Sequence, residues 1–144
     1  MGLIPPTKGE LLINGKPYKE NAAALSCFSW VPQQEFFFPM TAAENLELFD
    51  VDLTHLPLFP IPGERPDTRV DKLSSGQKQK LNLLRGLGVG DVVVIDEPDS
   101  YLDENSWKLF CDWLNRCNKT VVLISHRHEA VDGFRIIDLG ENYA

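Results

Sequence analysis

Apolar positions along the chain form short continuous runs that alternate with segments in which apolar residues recur at helical spacing. Residues 92–95 read Val-Val-Val-Ile and are apolar on both faces, which favours a central parallel strand covered by helices. Residues 120–124, Thr-Val-Val-Leu-Ile, predict a further strand. Two further segments have apolar residues at the spacing of one helix face. The first contains Leu81, Leu84 and Leu87, and the second contains Trp107, Phe110, Cys111 and Leu114. Strands that alternate with helices predict an α/β fold with a mainly parallel sheet.

The first and last parts of the chain also carry strand signals. Residues 10–13 run into Asn14-Gly15, the strongest short-range signal for a tight turn, which predicts a small antiparallel hairpin. Residues 134–138 read as the last strand.

Residues 27–31 predict another strand, which Pro32 stops. Gln33 and Gln34 therefore lie just past a strand end. Ligands of open α/β sheets bind at such ends, so a side-chain amide here is a candidate to meet a metal or a water. A plain polar loop is the alternative on these residues alone.

Three positions have the chemistry of helix starts. Thr41 and Glu44 form a capping box, in which each side chain satisfies the other residue's backbone N–H. Ser74 or Ser75 caps the helix that carries Leu81, and Asp103 caps the one that carries Trp107.

Two segments around the first of these helices lack regular periodicity. Phe36, Phe37 and Phe38 form a compact apolar run, which is either core or a surface against which another protein packs. Residues 50–71 are rich in proline and acidic side chains, which predicts a connector.

Composition narrows the class of protein. The chain has 144 residues, of which 43% are hydrophobic, enough for one modest core and one domain. A net charge of -7 argues against a nucleic-acid-binding face, since phosphate backbones are held by clustered Lys and Arg. Three cysteines without a CxxC pair favour buried thiols and a reducing compartment. No apolar run approaches the roughly 18 residues of a membrane helix.

Two stretches carry candidate chemistry. Leu73-Ser74-Ser75-Gly76-Gln77 is a hydroxyl-rich turn that opens onto a helix, whose start presents free N–H groups and the positive end of the helix dipole to an anion. The strand at 92–95 ends in Asp96 and Glu97, the arrangement that holds Mg²⁺ and steers a water onto a phosphate. Successive residues leaving a strand point to opposite sides, so these carboxylates can serve the metal and the water separately. The two stretches together predict nucleotide chemistry.

In their order and spacing, these motifs resemble the nucleotide-binding domain of ABC transporters, an ABC-type ATPase, over almost the whole chain. Val31-Pro32-Gln33 is similar to the Q-loop, and 73–77 to the signature sequence, with Ser75 where the family most often has Gly. The strand ending in Asp96 and Glu97 is similar to the Walker B motif. Ser100-Tyr101-Leu102-Asp103 resembles the D-loop, with Tyr101 at a position usually held by a small residue, and Ile124-Ser125-His126 resembles the switch histidine.

The resemblance implies a role for each motif in hydrolysis of ATP with Mg²⁺. Glu97 is the implied general base, His126 the contact to the γ-phosphate, and Asp96 and Gln33 the groups at the metal or the attacking water. The implied contacts to a second subunit in a head-to-tail dimer are Leu73, Ser74, Ser75, Gly76 and Gln77, which cap that subunit's nucleotide, and Ser100 and Asp103, which join the two subunits. An alternative metal site would consist of His126, His128 and Glu129. It is a poor candidate, because the two histidines are two residues apart on a loop and lack a clear third ligand.

The sequence departs from the family in one large respect. It contains no Gly-x-x-x-x-Gly-Lys-Ser/Thr, the Walker A loop that cradles the β- and γ-phosphates. Residues 3–10 are similar to the segment that follows the Walker A helix in the family. The expected fold is therefore an incomplete ABC ATPase domain of the P-loop NTPase class, without the P-loop strand and helix. We expect an uncovered apolar face, and a chain that is marginally stable or pairs with another copy.

The sequence predicts one partial domain over residues 1–144, in which about 41–88 form a reduced helical and signature subdomain. The parent protein is expected to couple ATP hydrolysis to membrane transport, with this chain alone inactive. The expected partners are ATP, a transporter membrane domain and a second nucleotide-binding domain, with no nucleic acid, at the cytoplasmic face of the membrane. Two alternatives stay open, a non-catalytic interaction module and a soluble ABC ATPase, although the connector is too short for the long coiled coils of the latter.

Overall fold

A three-stranded parallel sheet with helices packed on it forms the centre of the fold. The computed structural model describes residues 6–20, 22–51, 67–100, 102–126 and 131–137. The strands are β1 Leu12–Ile13, β2 Lys16–Pro17, β3 Phe28–Val31, β4 Val92–Asp96 and β5 Thr120–Ile124. The α-helices are α1 Ala42–Glu47, α2 Ser75–Leu87 and α3 Glu104–Leu114. Short 3₁₀ turns cover Tyr18–Glu20, Ala22–Cys27, Val70–Lys72 and Pro98–Ser100.

The strands of the main sheet are ordered β3-β4-β5, all parallel. Val31 pairs with Ile95, which pairs with Leu123, so the three carboxyl ends lie side by side. Strand β4 is central, as its two apolar faces predict, and Val93 and Ile95 are fully buried. The predicted α/β architecture is confirmed.

The predicted hairpin is also confirmed, in a shorter form. Strands β1 and β2 are antiparallel with two residues each. Asn14 and Gly15 between them have φ of 52° and 75°, the left-handed conformation that the tight turn of a hairpin needs at both central positions. Glu10 and Leu11 are not part of strand β1, although the carbonyl oxygen of Leu11 accepts from the backbone N–H of Tyr18 at 3.0 Å.

Helix caps follow the sequence closely. Thr41 and Glu44 make the predicted capping box, and Thr41 holds the pKa of the Glu44 carboxyl below its usual range by donating its backbone N–H. Ser74, not Ser75, caps α2, because its hydroxyl accepts from the backbone N–H of Gln77, whose side chain returns a bond to Ser74. Asp103 caps α3 as predicted.

The core lies between the sheet and helices α2 and α3. The predicted face of α3 is confirmed, with Trp107, Phe110 and Leu114 buried and Cys111 half-buried. The three cysteines are free thiols and are half-buried rather than buried. In the part of the chain that the structure describes, the buried polar side chains are Asn45, Gln79, Asn82 and Ser106. Gln79 is fully buried, and neither of its amide atoms has a hydrogen-bond partner among the described residues.

Helix α2 contacts β3 through Gly86. A Cβ built on Gly86 would lie 2.2 Å from Cγ2 of Val31, a fully buried side chain. The Ser29 hydroxyl donates to the carbonyl oxygen of Gly86 at 2.8 Å, so the helix cannot move away from the strand without losing this bond. Glycine is therefore required here by close approach.

We expect Gly86→Ala to lower the free energy of unfolding by about 1–3 kcal/mol through overpacking. Helix propensity alone would make alanine the more stable residue by about 1 kcal/mol, so the sign of the change identifies the contact. In chemical denaturation, the double variant with Val31→Ala should be less destabilised than the sum of the two single variants, because the clashing methyl is gone. Additive losses would show that Val31 is not what excludes a side chain at position 86.

The predicted last strand is wrong for the residues that the structure describes. Residues 134–137 are not in a strand, and Asp138 lies outside the described residues. A strand needs a ladder partner, and the described edge of β5 has none beyond β4. Most of the predicted connector, residues 52–66, also lies outside the described part of the chain.

One face of the sheet carries large exposed apolar side chains. Trp30 is 60% exposed, Val122 49% and Ile124 48%, and the register places the three on the same side. Within the described ranges, the expected uncovered apolar face is thus present. No helix among those residues is long and apolar enough to span a bilayer.

Candidate functional site

Three polar side chains from three adjacent strands meet at the carboxyl edge of the sheet. Gln33 follows β3, Glu97 follows β4, and His126 follows β5. The Gln33 side chain donates from Nε2 to Oε2 of Glu97 at 2.5 Å, and Nε2 of His126 lies 2.8 Å from Oε1 of Glu97. The sequence separations are 64 and 29 residues, so only the parallel sheet brings these groups together.

Glu97 adopts a backbone conformation unusual for a residue with a side chain. Its φ is 46°, in the left-handed region. Its backbone N–H donates to the carbonyl oxygen of Ile124 at 2.9 Å, which continues the β4–β5 ladder by one bond before the chain turns. Local strain of this kind, about 1–3 kcal/mol, persists where surrounding contacts hold it and concentrates at functional sites. Here the turn directs the carboxylate towards Gln33 and His126.

The two contacts define the hydrogen-bonding state of the site. With the Glu97 carboxylate ionised, both of its oxygens only accept, and Nε2 of His126 is then the donor in their contact. Each carboxylate oxygen of Glu97 thus holds one donor and keeps a further lone pair for a water. The Glu97 side chain is 22% exposed and the His126 side chain 83%, so the edge of the cluster is open to solvent.

Asp96 ends β4 opposite Ile124 and is half-buried. The described residues contain no group of three or more His, Cys, Asp or Glu side chains that could hold a metal. The oxygen ligands in reach of this edge, Asp96 and the amide of Gln33, suit a hard cation such as Mg²⁺ that keeps waters and arrives with phosphates. They do not suit a metal held by protein groups alone.

Residues 73–77 lie at the start of α2. The side chain of Leu73 is buried in the core, so only its backbone is available to a ligand. The side chains of Ser74 and Gln77 bond to each other's backbone N–H. Ser75 is exposed and Gly76 half-buried. No described hydrogen bond joins this turn to Glu97, so the structure presents two separate candidate sites.

The segment after Glu97 connects to α3. Ser100 is exposed, and Asp103 accepts from the backbone N–H of Ser106 at 2.8 Å, which lowers the pKa of the Asp103 carboxyl. Asp103 also lies 3.9 Å from Nζ of Lys80 in α2. Tyr101, His128 and Glu129 lie outside the described residues.

The sequence interpretation missed the side chains that hold the loop carrying Gln33. Asn82 donates to the carbonyl oxygen of Pro32, and Arg85 donates to that of Phe36. Asn45 in α1 makes two hydrogen bonds to the backbone of Phe38. The sequence signal that could have identified these side chains is the presence of polar residues within the apolar face of a helix.

Comparison with known proteins supports the family resemblance of the chain. A family model described as ABC transporter matches residues 1–100. ABC transporter A family member 4 of Dictyostelium discoideum is 34% identical over 149 residues, covering 91% of this chain and 9% of that protein. The retinal-specific phospholipid-transporting ATPase ABCA4 of Bos taurus is 27% identical over 147 residues, covering 91% and 6%. The chain thus spans about a tenth or less of the length of these two relatives.

The fold is also similar to that of solved structures. A dimeric bacterial ABC transporter cassette superimposes with a TM-score of 0.72 at 24% sequence identity, covering 87% of this chain and 66% of the cassette. The partial coverage of the cassette agrees with an incomplete version of the same α/β fold, as expected from the sequence.

Proposed function

Because this chain belongs to the ABC transporter family, we propose that it is part of an ATP-binding domain whose parent protein couples ATP hydrolysis to transport across a membrane. The observation that carries the proposal is the convergence of Gln33 and His126 on the two carboxylate oxygens of Glu97. These three groups lie at the strand ends where an open α/β sheet binds ligands.

The proposed reaction is transfer of the γ-phosphoryl group to water. Glu97 accepts the proton of the attacking water through a free lone pair, while the donors on its two oxygens hold the carboxylate in place. His126 is exposed enough to turn from Glu97 to a phosphate oxygen, and Gln33 orients the water by its amide. Asp96 and Gln33 would hold Mg²⁺, which would neutralise negative charge on the phosphates.

The second candidate site supports a role in a dimer. The start of α2 offers the backbone N–H groups of Ser75 and Gly76 and the positive end of a 13-residue helix to an anion. We assign residues 73–77 to the nucleotide held by a second nucleotide-binding domain. Ser100 and Asp103 would lie at the contact between the two domains.

The phosphate cradle is assigned to residues outside this sequence. The 144 residues include no Walker A loop, and a nucleotide at Glu97 needs one to hold its β- and γ-phosphates. We therefore propose that this chain alone does not hydrolyse ATP. We assign the reduced subdomain at about 41–88 to contact with the transporter's membrane domain, and we propose that the chain lies at the cytoplasmic face of the membrane. The absent loop equally favours the second candidate, a non-catalytic module that retains the dimer contacts.

Calorimetric titration with Mg-ATP tests the proposal. Both the 144-residue chain and the full-length protein would carry Glu97→Gln, so that turnover does not contribute heat. We expect saturable binding by the full-length protein and no heat from the chain alone. Saturable binding by the chain would contradict the assignment of the phosphate cradle to other residues. A full-length protein that binds no ATP would favour the non-catalytic module.

A further inference from the structure

The guanidinium of Arg85, in α2, is enclosed by the segment that follows β3 and by the end of α1. Its central carbon lies 5.0 Å from the ring centroid of Phe37 and 4.9 Å from that of Phe49. Nη1 donates to the carbonyl oxygen of Phe36 at 2.6 Å, and Nη2 donates to Oδ1 of Asn82 at 3.0 Å. A planar guanidinium can contact aromatic faces and donate hydrogen bonds from its edge at once, which a lysine ammonium cannot do.

The charge of Arg85 has no carboxylate partner in the described residues. The ion pairs seen among those residues, such as Arg69–Asp71 and Lys80–Asp103, do not include Arg85. Burial lowers the pKa of the Arg85 guanidinium, but an arginine stays protonated in proteins. The cation is therefore held by two rings, a carbonyl and an amide, and three of these four groups belong to the segment after β3 or to the turn after α1.

Side chains, rather than regular secondary structure, hold residues 32–38. None of these residues is in a helix or a strand. Nδ2 of Asn82, a residue 1% exposed, donates to the carbonyl oxygen of Pro32 at 3.0 Å. Arg85 holds the carbonyl of Phe36, and Asn45 holds both backbone groups of Phe38. Gln33 lies between the first two of these anchors.

We infer that Arg85 is a positioning residue for Gln33. By donating to Oδ1 of Asn82, it fixes the orientation of that amide, so that Nδ2 faces Pro32, the residue directly before Gln33. By donating to Phe36, it fixes the other end of the same short segment. Gln33 itself is exposed, so its own packing does not hold it against Glu97.

This arrangement links the two candidate sites. Arg85 and Asn82 are in the helix that begins with Ser75, so a displacement of α2 displaces Gln33 relative to Glu97. The catalytic meaning of that link rests on the proposed function, whereas the link itself is a geometric relation within this chain.

The first test needs no nucleotide. In NMR spectra of the 144-residue chain, the side-chain amide signal of Gln33 is identified because it is absent in Gln33→Ala. The change in its chemical shift that Glu97→Ala removes reports the hydrogen bond to Glu97. We expect Arg85→Lys to remove the same chemical-shift change. The measurement is made at a temperature where the backbone amide signals of Val93 and Ile95 keep their native chemical shifts, so that the sheet is still folded. The matched control is Arg116→Lys, an exposed arginine after α3, which should leave the shift intact.

A merely structural role would give the opposite result. Arg85→Lys would then lower the melting temperature and leave the Gln33 shift unchanged, which would overturn the inference. If Arg85→Lys does not fold, Phe49→Leu replaces it as the test. This substitution removes one of the two aromatic rings that contact Arg85, at a residue that is 40% exposed. Weakening of the Gln33 shift in Phe49→Leu supports the inference, and an unchanged shift contradicts it.

A second test uses the full-length protein. Arg85→Lys should lower kcat for ATP hydrolysis by roughly 10–100-fold with little change in KM, because misplacement of a group at the reacting end affects the chemical step. A rise in KM without loss of kcat would contradict a role through Gln33. If the unsubstituted protein shows no hydrolysis, the proposed function fails, and the amide measurement still decides whether Arg85 positions Gln33.

Discussion

Replacing Glu97 by Gln in the full-length protein is expected to lower kcat for ATP hydrolysis by about 10²–10⁴-fold, the usual contribution of a general base. The amide is nearly isosteric with the carboxylate but cannot accept a proton from the attacking water. ATP binding should persist, because Glu97 is assigned to the water and not to the grip on the phosphates. Single-turnover kinetics and nucleotide titration separate the two effects.

The same substitution also changes the local hydrogen bonds. In the structure, one oxygen of Glu97 accepts from Nε2 of Gln33, and the other lies 2.8 Å from Nε2 of His126. The amide of a glutamine offers only one acceptor, so one of the two donors loses its partner. Glu10→Gln, at an exposed position before β1 and outside the subdomain at about 41–88, is the matched control and should leave kcat unchanged. Retained turnover in Glu97→Gln would remove Glu97 from the role of base.

Phe110→Ala should lower the free energy of unfolding of the 144-residue chain by about 3–5 kcal/mol. Phe110 is fully buried in α3 and contacts Trp107 with their ring centroids 5.6 Å apart. Truncation removes its transfer free energy and leaves a cavity between the helix and the sheet. Urea denaturation followed by tryptophan fluorescence measures the loss, because Trp107 reports on the same contact.

The neighbouring residue provides the control. Leu109 is 52% exposed on the opposite side of α3, so Leu109→Ala should change stability by less than about 0.5 kcal/mol. Phe110→Leu keeps an apolar side chain and should fold even if Phe110→Ala does not. Equal losses for Leu109→Ala and Phe110→Ala would mean that α3 does not lie on the sheet by the face described.

The elements with local signals were the predictable part of the fold. Asn14-Gly15 predicted the hairpin, and Thr41, one of Ser74 and Ser75, and Asp103 predicted helix starts, because a turn or a cap is decided by a few adjacent residues. The strand expected at 134–138 failed over its described part because apolar content alone does not supply a ladder partner. Strand formation depends on which neighbour is available, and that information lies elsewhere in the chain.

For the site, the sequence identified which residues carry chemistry but not how they are held. Gln33, Glu97 and His126 were candidates because their motifs resemble the Q-loop, the Walker B motif and the switch histidine of the family, and the parallel register brings their side chains into contact. The roles of Asn45, Asn82 and Arg85 were not predicted, since each acts on backbone atoms that are 7–50 residues away. The left-handed backbone of Glu97 was also not predictable, because contacts with the adjacent strand maintain it.

The sequence by itself therefore determined the secondary structure with strong periodicity or caps, the α/β class and the list of candidate site residues. The first two depend on short-range patterns of hydrophobicity and hydrogen bonding, and the list of site residues depends on the resemblance of the motifs to a known family. The tertiary structure alone decided the strand order, the two hydrogen bonds to Glu97 and the enclosure of Arg85 by two aromatic rings. Those features require groups distant in sequence to be adjacent in space, and only packing of the helices on the sheet brings them together.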